Sequence, residues 1–213
     1  MAVALTEAEA AAATRIFGDR LGLAIRYVEH LATSGIERGL IGPREVPRLW
    51  NRHVLNCAVV AELMDDGVRV ADVGSGAGLP GLCLALARPD LSLTLIEPLE
   101  RRVTWLHEVV ADLGLDNVEI LRARAEEAVG AVDCDVVTAR AVSALKTLAP
   151  MTIPLLGGRG ELLAIKGRSA AEEIEKAAKI LRKLGGTSTE VLVAGADVLA
   201  EPTTVVRVTV DRR

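Results

Sequence analysis

The residues with the clearest chemical potential run from Asp72 to Gly81, Asp-Val-Gly-Ser-Gly-Ala-Gly-Leu-Pro-Gly, where an apolar run gives way to four glycines within eight residues. Glycine permits a tight turn and close approach of a ligand, and the first amides of a following helix point outward with partial positive charge. A carboxylate or phosphate of a nucleotide-like cofactor suits such a turn, and Pro80 is predicted to fall in the first helical turn. Glu97 ends the next apolar run 23 residues after Gly74, the spacing at which an acid reaches ribose hydroxyls in dinucleotide folds. The glycines are spaced G-x-G-x-G, with Leu79 where the strict dinucleotide fingerprint requires its third glycine. That favours S-adenosylmethionine over NAD. The bland alternatives are a plain strand-to-helix turn and a solvated carboxylate.

A physical assignment follows. The amides at Gly74, Gly76, Gly78 and Leu79 are expected to receive the methionine carboxylate, Asp72 its ammonium group, and Glu97 the ribose. The Ala125 amide and the Glu126 side chain are placed to read the adenine edge. Arg140, at the tip of a strand, faces the crevice where such sheets bind ligands.

Alternation of elements supplies the frame. Short apolar or β-branched runs at 68–73, 92–96, 118–121, 136–139 and 161–165 alternate with helical stretches at 80–87, 100–113 and 145–155. This pattern predicts a parallel sheet covered by helices on both faces. Ser169 and Glu172 read as a capping box for a helix ending before Gly185-Gly186. The runs at 188–193 and 204–210 have no helix-sized spacer, so they predict a hairpin that brings an antiparallel strand into the sheet. Residues 1–65 read as a helical extension, with helices over 4–17, 21–33 and 46–64 separated by glycine- and proline-rich loop. The methyltransferase-like domain is expected to fill 66–213.

The chain has 213 residues, half of them hydrophobic, and a net charge of −4. A buried core is assured and a global basic field is excluded, so any nucleic-acid contact must be local. Phe17, Tyr27, Trp50 and Trp105 are all the aromatics, which argues against a base-stacking platform. Cys57, Cys83 and Cys134 lack metal-ligand spacing and are expected to be reduced thiols; no metal is expected. Without a leader pattern or an apolar run of membrane length, a cytoplasmic protein without membrane contact is expected, working as a monomer.

With these residues in hand, the chain resembles the bacterial RsmG (GidB) family of ribosomal RNA methyltransferases, which act on N7 of a guanine in 16S rRNA. The resemblance runs from about Trp50 to Gly167. It rests on Arg52-His53 with Leu55, Asp72 to Gly81, Arg101-Arg102-Val103 with Leu106, Glu126-Glu127, Arg140-Ala141 and Lys166-Gly167. It implies an α/β, Rossmann-like class I S-adenosylmethionine-dependent methyltransferase with a seven-stranded, mostly parallel sheet and an antiparallel terminal hairpin. It also implies cofactor contacts at Gly74, Leu79, Ala125, Glu126 and Arg140, and 16S rRNA or the small ribosomal subunit as partner. The chain departs from the family pattern at Gly39-Leu40-Ile41, at Asn56 and at Glu97.

Guanine N7 carries an exposed lone pair and no proton, so no acid/base pair is required, and Arg140 is the best positioning candidate. RNA contact is expected from Arg44, Arg48, Arg52 and His53 on the N-terminal side, with Lys146, Lys166 and Arg168 after the fourth and fifth strands. Singly, each is as well read as a solvated charge, and His53 as a packed histidine. Competing readings are a methyltransferase of a small molecule or protein, an NAD(P)-dependent oxidoreductase, and a non-catalytic adenosine-binding module.

Overall fold

A computed structural model describes residues 3–140 and 143–212. Ala141, part of the Arg-Ala pair, lies outside them. Seven strands, β1 Arg69–Val73, β2 Ser92–Ile96, β3 Val118–Leu121, β4 Val136–Arg140, β5 Arg159–Lys166, β6 Gly186–Ala194 and β7 Thr203–Asp211, form one sheet in the order β3-β2-β1-β4-β5-β7-β6. The first five are parallel, and β7 runs antiparallel between β5 and β6. The chain reverses its direction of strand addition between β1 and β4, so the crevice beyond their carboxyl ends is the expected ligand site.

The helices are α1 Glu7–Phe17, α2 Leu21–Ala32, α3 Ser34–Glu37, α4 Asn56–Ala58, α5 Gly81–Ala87, α6 Glu100–Leu113, α7 Leu145–Thr152 and α8 Ala170–Lys183. In α6 the buried Val103, Leu106, Val109 and Leu113 recur at helical spacing, and Gly114 closes the helix in the left-handed conformation. Two hydrophobic clusters result. One holds α7 and α8 against Val73, Val137, Leu162 and Val206; the other holds α1, α2, α5 and α6 against Val70, Leu93, Leu95 and Leu163. The N-terminal helices therefore share a core with the sheet: Tyr27, Leu31, Trp50 and Val54 lie in the same cluster as Leu82, Leu84 and Trp105.

Three local expectations change. The helix expected over 46–64 is broken into a 3-10 turn at Pro43–Arg48, a π-helical segment at Leu49–Leu55, the short α4 and a further 3-10 turn at Val59–Leu63. Pro43 and Pro47 each remove an amide donor from this stretch, and π-turns tend to occur at functional sites. Ser169 makes no side-chain cap to α8; its hydroxyl meets Glu173 at 3.4 Å, and Glu173 is held by Lys166 and the Leu145 amide. Pro80 is the residue before α5 rather than within its first turn.

Gly81 is where α5 meets the sheet. A Cβ there would collide with Leu95 and lie 2.7 Å from Asp72 Oδ2, so it takes the close helix–strand packing role that the missing third fingerprint glycine would play. Gly81→Ala is expected to destabilise the protein by about 1–3 kcal/mol through overpacking. Gly22→Ala, in α2 where the added methyl meets nothing within 4 Å, is expected to stabilise by roughly 0.4–1 kcal/mol. Urea unfolding of both variants checks the contrast; equal effects would refute it.

Candidate active site

The loop after β1 is held from three sides. The amides of Gly74 and Ser75 donate to the Ile96 carbonyl at the end of β2 at 2.9 and 3.3 Å, and the Ser75 hydroxyl donates to the Asp72 carbonyl at 2.9 Å. Gly74, Gly76 and Gly78 have φ of 71°, 57° and 80°, the left-handed region that only glycine enters cheaply. From beneath, the buried Tyr27 hydroxyl of α2 donates to the Ala77 carbonyl at 2.6 Å. Leu79 is buried, and its amide donates to the Ser75 carbonyl at 3.0 Å.

Asp72 is fully buried: Oδ2 accepts the Gly81 amide at 3.0 Å, and Oδ1 has no partner. The first amide of α5, expected to face the cofactor, is thus already taken by Asp72. The loop amides expected to receive the methionine carboxylate are engaged as well: Gly74 donates to the Ile96 carbonyl, Gly76 to Glu97 Oε2, and Gly78 and Leu79 to the Ser75 carbonyl, so that expectation is corrected. Burial pushes the Asp72 carboxyl up to about 7, against the Gly81 hydrogen bond, the neighbouring Ser75 hydroxyl and the Arg140 charge, which lower it. A carboxyl raised on folding is penalised where the unfolded chain is already ionised. The penalty is about 4 kcal/mol above pH 7 and vanishes below pH ~4. A cation brought against Oδ1 would remove it.

Glu97, at the end of β2, is also buried, yet it borders a pocket of about 610 Å³ together with Gly74, Leu99, Arg102, Arg124 and Arg140. That volume suits a small-molecule site. Its Oε2 accepts from the Gly76 amide at 3.0 Å and from Arg102 Nη1 at 3.4 Å, and Oε1 from the Leu99 amide at 3.0 Å. A carboxylate offers about four lone-pair sites, so one acceptor position remains on Oε1. Beyond β3, Ala125 is buried at the start of a 3-10 turn, Glu126 is exposed, and Glu127 lies on the pocket wall with Oε2 accepting the Arg124 amide at 2.9 Å.

Arg140 closes the opposite wall. Its Nη2 lies 2.9 Å from His53 Nδ1 and its Nη1 donates to the Arg52 carbonyl at 3.5 Å, while His53 Nε2 lies 2.8 Å from Glu45 Oε2. A guanidinium has only donors, so His53 Nδ1 must be the unprotonated acceptor and Nε2–H must donate to Glu45. The tautomer is fixed by its neighbours. Burial lowers the His53 pKa, the Glu45 hydrogen bond raises it, and Arg140 lowers it further, with a net downward shift.

Of the other cations expected on an RNA surface, Arg44, Arg48, Arg52, Lys146 and Arg168 are exposed. Two of the expected contacts are corrected. Lys166 is 8% exposed, with Nζ donating to the Ser143 carbonyl at 2.6 Å and pairing with Glu173 at 2.9 Å; its charge is spent inside the protein. His53 is buried with both ring nitrogens occupied, so it presents nothing to a phosphate. The sequence reading missed Glu45, Tyr27 and Arg102. Eight residues along a regular helix share a face but lie about 12 Å apart along its axis, and the irregular 43–55 segment brings Glu45 and His53 together.

Because the folded His53 pKa is depressed, its contribution to stability is complete above about pH 6.5 and lost as pH falls through the folded value. Below it, an Nδ1–H would face the Arg140 donors and open the bond. In histidine-15N-labelled protein, His53 is expected as the Nε2–H tautomer at neutral pH, titrating below about 6.5. A His53 titrating at or above that value would refute the arrangement.

Comparison with known proteins bears on the family and the fold. A family model described as "rRNA small subunit methyltransferase G" matches residues 20–199. The chain is 77% identical over 207 residues to the ribosomal RNA small subunit methyltransferase G of Renibacterium salmoninarum, covering 97% of this chain and 96% of that protein. It is 55% identical over 202 residues to the protein of that name from Corynebacterium glutamicum, covering 92% and 90%. Among solved structures, a putative S-adenosyl-L-methionine-dependent methyltransferase from Methanococcus maripaludis aligns with a TM-score of 0.59 at 14% identity, over 87% of this chain and 93% of that one. The M. jannaschii TYW2 structure in complex with AdoMet aligns with a TM-score of 0.55 at 18% identity, over 78% of each chain. These remote likenesses bear on the fold, which is that of the class I S-adenosylmethionine-dependent methyltransferases. By its sequence along nearly the whole chain, the protein belongs to the rRNA small subunit methyltransferase G family.

Proposed function

We propose that the protein transfers a methyl group from S-adenosylmethionine to N7 of a guanine in 16S rRNA. The observation that carries this reading is a buried carboxylate having one unpartnered oxygen, Asp72, together with a guanidinium held at the pocket wall, Arg140, whose neighbouring couple among the described residues, His53 with Glu45, has both ring nitrogens engaged.

The residues present fit the cofactor. The unpartnered Asp72 Oδ1 would take the methionine ammonium group, the remaining acceptor position of Glu97 would take a ribose hydroxyl, and Gly74 and Gly76 keep the loop free of side chains. The Ala125 amide opens a 3-10 turn, where amides have no acceptor within the turn, and would meet the adenine edge. When bound, S-adenosylmethionine supplies a methyl carried on a positively charged sulfur.

The remaining work is positional. Guanine N7 offers its lone pair without losing a proton, so the protein needs only to hold the base in line and exclude water, and alignment of this kind is worth orders of magnitude in rate. Arg140, braced by His53 and Glu45, would orient the guanine or an adjoining phosphate at the pocket mouth. The NAD(P) reading fares worse, because Gly81 fills the packing role at a position shifted from the dinucleotide fingerprint. A small-molecule methyltransferase is disfavoured by the family to which the chain belongs.

Purified protein with methyl-labelled S-adenosylmethionine should label 16S rRNA or small subunits, with the product mapped by N7-specific cleavage; label confined to other positions or absent from RNA would refute the reading. Arg140→Ala should cut methylation about a hundredfold at a stability cost no greater than about 1–3 kcal/mol, the penalty for leaving His53 Nδ1 unpaired.

Cofactor affinity carries its own signature. Asp72 ionises at about 7 in the free protein, so S-adenosylmethionine binding should strengthen by up to about tenfold per unit as pH rises towards 7. It should weaken again above about 8, where an α-amino group loses its proton. Calorimetric titration across this range checks it, and a flat profile below pH 7 would remove Asp72 from the contact.

A further inference from the structure

A second cleft, of about 860 Å³, opens beside the site described above. Helix α1, the 43–55 segment, the turn after β5 and the 198–201 connection form its walls, and Arg48, Arg52 and Arg168 line it together. Arg48 and Arg52 lie on one segment and Arg168 more than a hundred residues further along the chain, so only the fold brings Arg168 to the other two. Arg48 and Arg168 form no ion pair among the described residues, and Arg52 reaches Glu45 only at 3.5 Å. Two acids share the cleft. Glu9 is engaged in the cap of α1, with Oε2 accepting from the Thr6 amide and hydroxyl at 2.8 and 2.9 Å, and Glu201 is the other carboxylate on the wall.

We propose that this cleft docks the RNA strand flanking the target base, through its phosphodiester groups. The inference rests on the rRNA reading above. Its geometry is continuous with the reaction site, because the backbone carbonyl of Arg52, a cleft residue, accepts from Arg140 at the pocket wall. A base delivered to Arg140 carries neighbouring phosphates with it, and this cleft adjoins Arg140 and presents Arg48 and Arg168, which form no ion pair among the described residues. No aromatic side chain lines the cleft, so the contact is made to backbone charge rather than by base stacking. Asn51, also on the wall, offers an amide to a sugar or base edge. The docking surface therefore uses Arg48, Arg52 and Arg168 and omits Lys166, whose ammonium is internally paired.

Phosphate docking has a thermodynamic signature: log Kd varies linearly with log salt, with a slope of about 0.7 per phosphate contacted on a single strand. The full-length protein, its Arg48→Ala/Arg168→Ala double variant and a Lys179→Ala/Lys183→Ala double variant on the exposed face of α8 are compared on naked 16S rRNA and on small subunits across a salt series. The first pair is expected to raise Kd for RNA at least about tenfold and to flatten the slope by about 1.4. KM for RNA should rise while kcat and the Kd for S-adenosylmethionine stay at wild-type values, which also shows that the variant is folded. The α8 pair, equal in charge removed, should follow wild type. Indistinguishable behaviour of the two pairs would overturn the proposal, and weaker binding with an unchanged slope would mean that the two arginines do not meet phosphates and would overturn it equally. If wild-type protein labels no RNA at all, the rRNA reading falls and the docking site with it; labelling by wild type with unaffected variants removes the docking site alone.

Discussion

The buried carboxylate of Asp72 is the point on which the site's construction turns. Its Oδ2 ties the end of β1 to the first amide of α5, and that bond requires α5 to approach so closely that only glycine fits at position 81. The other oxygen stays unpartnered in a position where burial pushes the carboxyl up to about 7. A fold selected for stability alone would replace such a group by an asparagine or an apolar side chain. Retaining an acid there stores a local cost that a bound cation relieves, and strain or unsatisfied groups of this kind gather at binding sites.

The N-terminal helices complete the site as well as covering the sheet. Tyr27 supports the glycine loop from below through Ala77, and the irregular 43–55 segment delivers Glu45, Arg52 and His53 to the tip of β4. Each of these contacts joins residues 50 or more apart in sequence or depends on broken helical register. The π-helical segment at Leu49–Leu55 matters here, because a regular helix through 46–64 would rotate His53 relative to the buried stripe of Trp50, Val54 and Cys57. Arg140 consequently sits between two supports: the sheet fixes its Cα, and His53 fixes its guanidinium. Its freedom to rotate is small, which is what a positioning group needs.

Much of this is legible in the sequence, and the limits have physical causes. Strand runs such as 92–96 and 118–121 match the observed β2 and β3 at both ends, because apolar and β-branched residues cluster in strands even at the sheet edge, where β3 keeps Glu119 exposed. The terminal hairpin is equally legible from its missing spacer. A single helix over 46–64 is the wrong expectation, since apolar periodicity of about 3.6 does not distinguish an α-helix from neighbouring 3-10 and π turns. The Ser169 cap fails because Glu173, rather than Glu172, is drawn across to Lys166 and the start of α7. Conversely, Thr6 and Glu9 form a full capping box whose Thr-x-x-Glu signature is present in the sequence but went unread. At the site, residue types are legible, but partners are not. Lys166 and Arg168 lie two positions apart, yet the Lys166 side chain is 8% exposed and paired with Glu173, while Arg168, beyond the end of β5, is exposed and lines the cleft.

The absence of a free acid/base couple beside Arg140 among the described residues gains meaning from the proposed substrate. A nucleophile that must lose a proton needs a base tuned near the working pH. The histidine beside Arg140 cannot act as that base, since its Nδ1 faces a permanent cation and its Nε2–H is committed to Glu45. His53 therefore works as a spacer of fixed protonation between two charges. Its neutral ring lets a carboxylate at position 45 restrain a guanidinium at position 140 without neutralising it by direct contact, so the full positive charge stays available at the pocket mouth. Replacing that spacer by a direct Glu–Arg pair would hold the arginine as firmly but spend its field on the carboxylate. For the proposed reaction, in which the base brings its own lone pair, a well-held guanidinium at the pocket mouth would serve to orient the guanine or an adjoining phosphate without taking a proton from it.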